Sequence, residues 1–140
     1  MSTKTEGSGQ EKKTSLVQDF QDYFDLKLAS SAKQLESVYR MRYRVYCEEF
    51  EYEPASAFPD QLETDEFDAH ASHCLVTHKS TGMAAGCARL VHVDEESLMP
   101  MEKFCSHAMD ESIIRSFDGR RDTICEFSRL GVDGAFRRRA

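Results

Sequence analysis

Residues 124 to 133 read ICEFSRLGVD, a run with the apolar and β-branched content of a buried strand that nevertheless carries Glu126 and Arg129 in its middle. An ionised group taken out of water costs several kcal/mol unless it is paired or hydrogen-bonded, so charges in such a place need partners or a task. Three other stretches set charge beside apolar or aromatic residues: Arg42 in MRYRVY, Asp65 and Asp68 in ETDEFD, and Arg89 in GCARLV. Together they make three cations and three anions, the balance that one mutually compensated buried cluster requires. A carboxylate in such a cluster can serve as a general base, and a guanidinium can grip a carboxylate bidentately. The competing reading is a structural ion pair that knits a strand to a helix. Strict two-residue alternation sends Glu126 and Arg129 to opposite faces, because their separation is odd. A β-bulge between them would bring both to one cleft and free a backbone N–H.

The elements that must position these groups can be read along the chain. FDLKLA (24–29) alternates with the period of a half-buried strand. Ser31 and Gln34 form the pattern of a capping box, and Leu35, Val38, Tyr39, Arg42, Val45 and Tyr46 then share one helical face, predicting a helix to about Glu49. EYEPASAFPDQLETDEFDAH holds two prolines and many acids but also aromatic residues, which predicts a long, ordered, functional loop. SHCLVTH, KSTG and MAAGCARLVHV read as a hairpin. EKFCSHAMDESIIRSF (102–117) fits a second amphipathic helix, and TICEFSRLGV returns to strand. The order strand, helix, loop, two strands, helix, strand predicts an α/β (α+β) fold rather than a doubly wound sheet.

The chain has 140 residues, 40% of them hydrophobic, enough for one core. Residues 1–18 have almost nothing to bury and are expected to form a disordered tail, leaving 19–140 as the folded part. A formal net charge of -7 argues against a general nucleic-acid binder and against anionic membrane surfaces, both of which demand a basic footprint. Five scattered cysteines without a CxxC pair read as reduced thiols, and no apolar run is long enough for a leader or a membrane span, so a cytoplasmic location is expected. His70, His73 and His78 with Cys74 make no metal set, because alternation turns His73 and Cys74 to opposite faces and no ligand-pair spacing recurs.

MRYRVYCEEFEY, LETDEFD, GCARLV and EFSRLGVD, in that order, resemble the autoinducer synthase group of the GNAT acyltransferase superfamily. That group includes the acyl-homoserine lactone synthases, and the motifs also resemble N-acyl amino acid synthases and the acyltransferases associated with PEP-CTERM/exosortase systems. The resemblance implies a mixed, mostly antiparallel GNAT-like sheet flanked by helices, with this chain forming the N-terminal part of the domain and ending after the fourth core strand. It places Glu126 and Arg129 as catalytic residues and Arg42, Tyr46, Tyr52, Asp65, Asp68 and Arg89 around the substrates. Tyr46 and Tyr52 stand where lactone synthases carry Phe and Trp, a departure that argues against their sulfonium substrate.

LGVDGAFRRRA resembles the passage in which a strand enters the loop that holds the acyl carrier's phosphopantetheine through backbone N–H groups, here Arg137, Arg138, Arg139 and Ala140. What the resemblance implies is an N-acyltransferase that moves a fatty acyl group from acyl carrier protein or acyl-CoA to the amine of an amino-acid-like acceptor. The donor thioester would be a substrate, and no bound cofactor is expected. The alternatives are acyl-homoserine lactone synthesis and a non-catalytic fragment that binds the acyl carrier. Expected partners are acyl carrier protein and a small amine.

Overall fold

The computed structural model describes residues 15–137. Its centre is a four-stranded sheet in the order β1 (Phe24–Leu28), β2 (Ala71–His78), β3 (Ala84–His92), β4 (Cys125–Val132), antiparallel at every step. This is the antiparallel α+β arrangement that the element order implies. Of the expected tail, residues 1–14 lie outside the described residues, while at Ser15 the hydroxyl accepts from the Gln18 N–H and opens a short helix, α1 (Leu16–Tyr23). Phe20 of that helix stacks on Phe24 at 5.2 Å, an apolar anchor in a stretch whose first residues looked too polar to order.

α2 (Ala32–Arg42) opens with the anticipated capping box: Gln34 N–H donates to Ser31, and the Ser31 N–H donates back to the Gln34 side chain. The box satisfies two otherwise orphaned donors at the helix start. Beyond Arg42 the chain does not continue as an α-helix. It widens into a π-helix, Tyr43–Glu49, ending with Phe50 N–H on the Val45 carbonyl. Such widened turns are rare and concentrate at functional sites. Val38, Met41 and Val45 pack on Leu75 and Cys87 to form one core under this helix, and Phe67, Val91, Val93 and Met99 form a second.

The single helix expected over 102–117 is broken in two, α3 (Pro100–Cys105) and α4 (Glu111–Arg115). A 3-10 turn, Ser106–Ala108, follows α3, and Asp110 caps α4 by accepting from the Ser112 N–H. Glu102 of α3 is buried against Arg121, whose guanidinium also donates to the carbonyls of Asp94 and Ser97 and so ties this excursion together.

The sheet has two unlike faces. His73, Leu75, Cys87, Arg89 and Val91 point toward α2 and the long loop. The opposite face is apolar and open: Leu26, Leu28, Phe127, Leu130 and Val132 are all exposed there, lining a groove of about 560 Å³.

Candidate active site

At β4 the ladder slips. Arg89 pairs with Ser128 and Cys87 with Gly131, so two steps along β3 face three along β4. The extra residue is Arg129, which sits in the left-handed region at φ 49°. A non-glycine residue there carries about 1 kcal/mol of backbone cost, which the surroundings must offset. The slip puts Ser128 and Arg129 on the same face, after which alternation resumes with Leu130 on the apolar side. The bulge that Glu126 and Arg129 needed in order to share a face is therefore present.

Below the bulge the charged residues close into a ring of alternating sign. Arg42 Nε donates to Glu63, and Glu63 Oε1 accepts from Arg129 Nη2 at 2.9 Å. Arg129 Nη2 lies 3.2 Å from Asp65 Oδ2. Asp65 Oδ1 accepts from Arg89 Nη1 at 2.5 Å, and Asp68 Oδ1 from the same nitrogen at 2.8 Å. The ring closes where Arg42 Nη1 donates to Asp68 Oδ1 at 2.7 Å. Every charge has two neighbours of opposite sign, which is the condition for burying ions without a large net penalty.

The surroundings complete the geometry. Arg89 Nε donates to Ser128 Oγ at 3.0 Å, locking the ring to the residue before the bulge. Glu63 N–H donates to the Tyr39 carbonyl, holding the loop against α2. Asp68 Oδ2 accepts from the Asp65 N–H, so the D-x-x-D turn orients both carboxylates. Burial works to raise the Asp68 pKa, but the hydrogen bonds and charges of Arg42 and Arg89 outweigh it and hold that carboxyl below its usual range. His73 lies edge-on to Tyr39, and burial pushes its pKa below the ordinary imidazole value despite the nearby Asp68.

The ring redistributes the expected roles. Arg42, Asp68 and Arg89 are among its members and are buried in it, their side chains 0%, 7% and 1% exposed. Only Asp65 and Arg129 reach the surface, joined by Glu53 at 3.4 Å from Arg129. Glu126 is not a ring member. Its Oε2 accepts from the Met101 N–H at 2.8 Å at the start of α3. Alternation nevertheless puts Glu126 on the face of Ser128, about 7 Å along the strand, and among the described residues no hydrogen bond occupies its Oε1.

The Tyr46 hydroxyl donates to the Leu130 carbonyl at 2.9 Å, with the Arg129 guanidinium 5.3 Å over the ring. Tyr52 is exposed and stacks on Phe50 at 5.3 Å. Arg137 pairs with Glu49 and lies 4.8 Å over the Phe50 ring. Arg138, Arg139 and Ala140 fall outside the described residues.

Three participants escape a reading of the sequence. Glu63 is one acid among many in an acidic loop, and no spacing marks it. Glu53 is equally unmarked. Ser128 had a signal: it is two residues from Glu126, so strand parity alone puts it on the same face.

Residues 41–140 match the family described as the acetyltransferase (GNAT) domain, a span that contains Arg42 and every other candidate site residue. The fold is also similar to the crystal structure of the AHL synthase LasI, at 17% identity and a TM-score of 0.47 over 80% of this chain. That alignment covers 54% of LasI, so the chain spans about half its length. No curated protein matches the chain.

Proposed function

Because the chain belongs to the acetyltransferase (GNAT) domain family, we propose that it contributes the catalytic face of an N-acyltransferase that moves a fatty acyl group from a thioester to the amine of an amino-acid-like acceptor. The donor is acyl carrier protein or acyl-CoA. One observation carries the reading: the β4 bulge lies between the charged ring on one face and the apolar groove on the other, with Leu130 and Gly131 lining that groove.

At about 560 Å³ the groove is within the range of ligand sites, and its walls, among them Leu26, Val76, Leu90 and Phe127, suit a fatty acyl chain. On the polar side, Asp65, Arg129 and Glu53 face the acceptor. Counting Glu53, four carboxylates meet three guanidiniums, and the surplus negative charge sits at the rim, favouring an amine-bearing ligand. In this reading Arg129 meets an acceptor carboxylate.

In the reaction the amine nitrogen attacks the thioester carbonyl carbon and a C–N bond forms. Glu126, through its free Oε1 or a water, takes the proton the amine gives up. The tetrahedral oxyanion is held by a backbone N–H of the bulge. The intermediate collapses with cleavage of the C–S bond, and the leaving thiolate is protonated to the thiol. Arg137, with Arg138, Arg139 and Ala140 after it, begins the loop that receives the phosphopantetheine.

The test is to incubate the protein with decanoyl-CoA or decanoyl acyl carrier protein and an amino-acid pool, and to read products by mass spectrometry. An N-decanoyl amino acid together with stoichiometric free thiol is the expected result. Absence of both with either donor would refute the reading.

A further inference from the structure

We propose that Tyr46 is a positioning residue for this transfer: by donating to the Leu130 carbonyl, its hydroxyl holds the β4 bulge so that the Leu130 N–H stays at the strand's open edge as the donor to the oxyanion. The role rests on the acyl-transfer reading above and adds to it the device that sets the donor.

The bulge contains two consecutive peptide planes, and a side chain grips the carbonyl of each. The Cys87 thiol donates to the Arg129 carbonyl at 3.5 Å, and Tyr46 Oη donates to the Leu130 carbonyl at 2.9 Å. In a trans peptide the C=O of one residue and the N–H of the next point in opposite directions. With the Arg129 carbonyl turned toward Cys87 on β3, the Leu130 N–H is turned away from β3. β4 has a neighbour on one side only, so that direction is the free edge of the described sheet. In the ladder Gly131 pairs with Cys87, whereas Arg129 and Leu130 have no partner on β3, which leaves the Leu130 amide to meet a substrate.

The π-helix is what brings Tyr46 to this place. Three of its residues grip the chain from the bulge onward: Arg44 donates to Asp133 at 2.8 and 3.0 Å, Tyr46 to Leu130, and Glu49 accepts from Arg137. Packing between them is close. A Cβ on Gly131 would stand 3.3 Å from Met41 Cε and 3.8 Å from the Tyr46 ring, so only glycine fits without displacement. Arg129, strained at φ 49°, has no backbone preference of its own for this geometry, and the peptide after it would relax if the hydroxyl were lost.

The deciding variant is Tyr46→Phe, which keeps the ring, its contact with Arg129 and its packing. Steady-state acyl transfer should show kcat lowered about 10-fold, because a donor moved out of line costs less than the 10²-fold or more of a deleted one. KM for the thioester should stay within about twofold, and the thermal midpoint within about 3 °C. The Leu130 and Gly131 amide resonances should shift in the ligand-free variant while those of β2 do not. Unchanged kcat, or unchanged bulge resonances, overturns the role for Tyr46 and leaves acyl transfer standing. No turnover by the unsubstituted protein overturns the reaction and the catalytic part of this role together, while the amide shifts still report whether Tyr46 holds the bulge.

Discussion

Glu63→Gln should be among the most damaging isosteric changes in this protein. Glu63 is fully buried and accepts from two guanidiniums: Arg42, itself fully buried, and Arg129. A glutamine of the same shape offers one acceptor oxygen, so its amide N–H₂ must face whichever guanidinium the oxygen does not serve. The ring then holds three cations against two anions, and the buried Arg42 keeps Asp68 alone as its counter-charge. Breaking a buried pair from one side costs roughly 3–5 kcal/mol. Against a domain stability of about 5–15 kcal/mol that is a large fraction, and it corresponds to a drop of about 10–15 °C in thermal midpoint. Circular dichroism melts with urea titrations would measure it. Adding Arg129→Gln restores the charge balance and should return about 1–2 kcal/mol, a coupling that a double-mutant cycle isolates. A midpoint shift under about 3 °C for the single variant, or strict additivity in the double, would show that the ring is not the buried, mutually dependent unit described.

Two further outcomes follow from the same geometry. Burial holds the His73 pKa below its ordinary value, so as pH falls through about 6.5 the unfolded chain binds a proton that the fold refuses. Stability should therefore decline below that pH by up to about 1.4 kcal/mol per unit, and His73→Phe, which retains the edge-on contact with Tyr39, should flatten the decline. An identical slope in the variant would assign the effect elsewhere. All five cysteines are free, and Cys105 and Cys125 are exposed whereas Cys47 and Cys87 are buried, burial pushing the Cys87 thiol up to about 11. A disulfide-exchange reagent at pH 8 should label Cys105 and Cys125 rapidly, the half-buried Cys74 more slowly, and Cys47 and Cys87 only on denaturation; five fast thiols would contradict the packing under α2.

What could be read in advance was whatever local pattern dictates. The capping box at Ser31 and Gln34, the hairpin and the strand around Glu126 each follow from a few adjacent residues, and each stands where that pattern put it. The count of three cations against three anions was sound, but its third anion is Glu63 rather than Glu126. Charge balance constrains a sum and cannot say which acid in a loop of acids folds inward. The 102–117 segment has helical periodicity, yet Asp110 competes for the backbone as a cap, and tertiary packing of Glu102 on Arg121 decides the break. The widening of the helix after Arg42 leaves no mark in composition, since it depends on where Arg44, Tyr46 and Glu49 find partners some 80 to 90 residues away.

Glu126→Gln separates catalysis from structure at the residue assigned as base. The glutamine oxygen can still accept from the Met101 N–H, so the start of α3 keeps its anchor and the melting midpoint should stay within about 3 °C. The rate of thiol release from an acyl thioester in the presence of acceptor should fall on the order of 10²-fold. An undiminished rate, or a loss of folding that accounts for the whole decrease, would contradict the assignment of this face to acyl transfer.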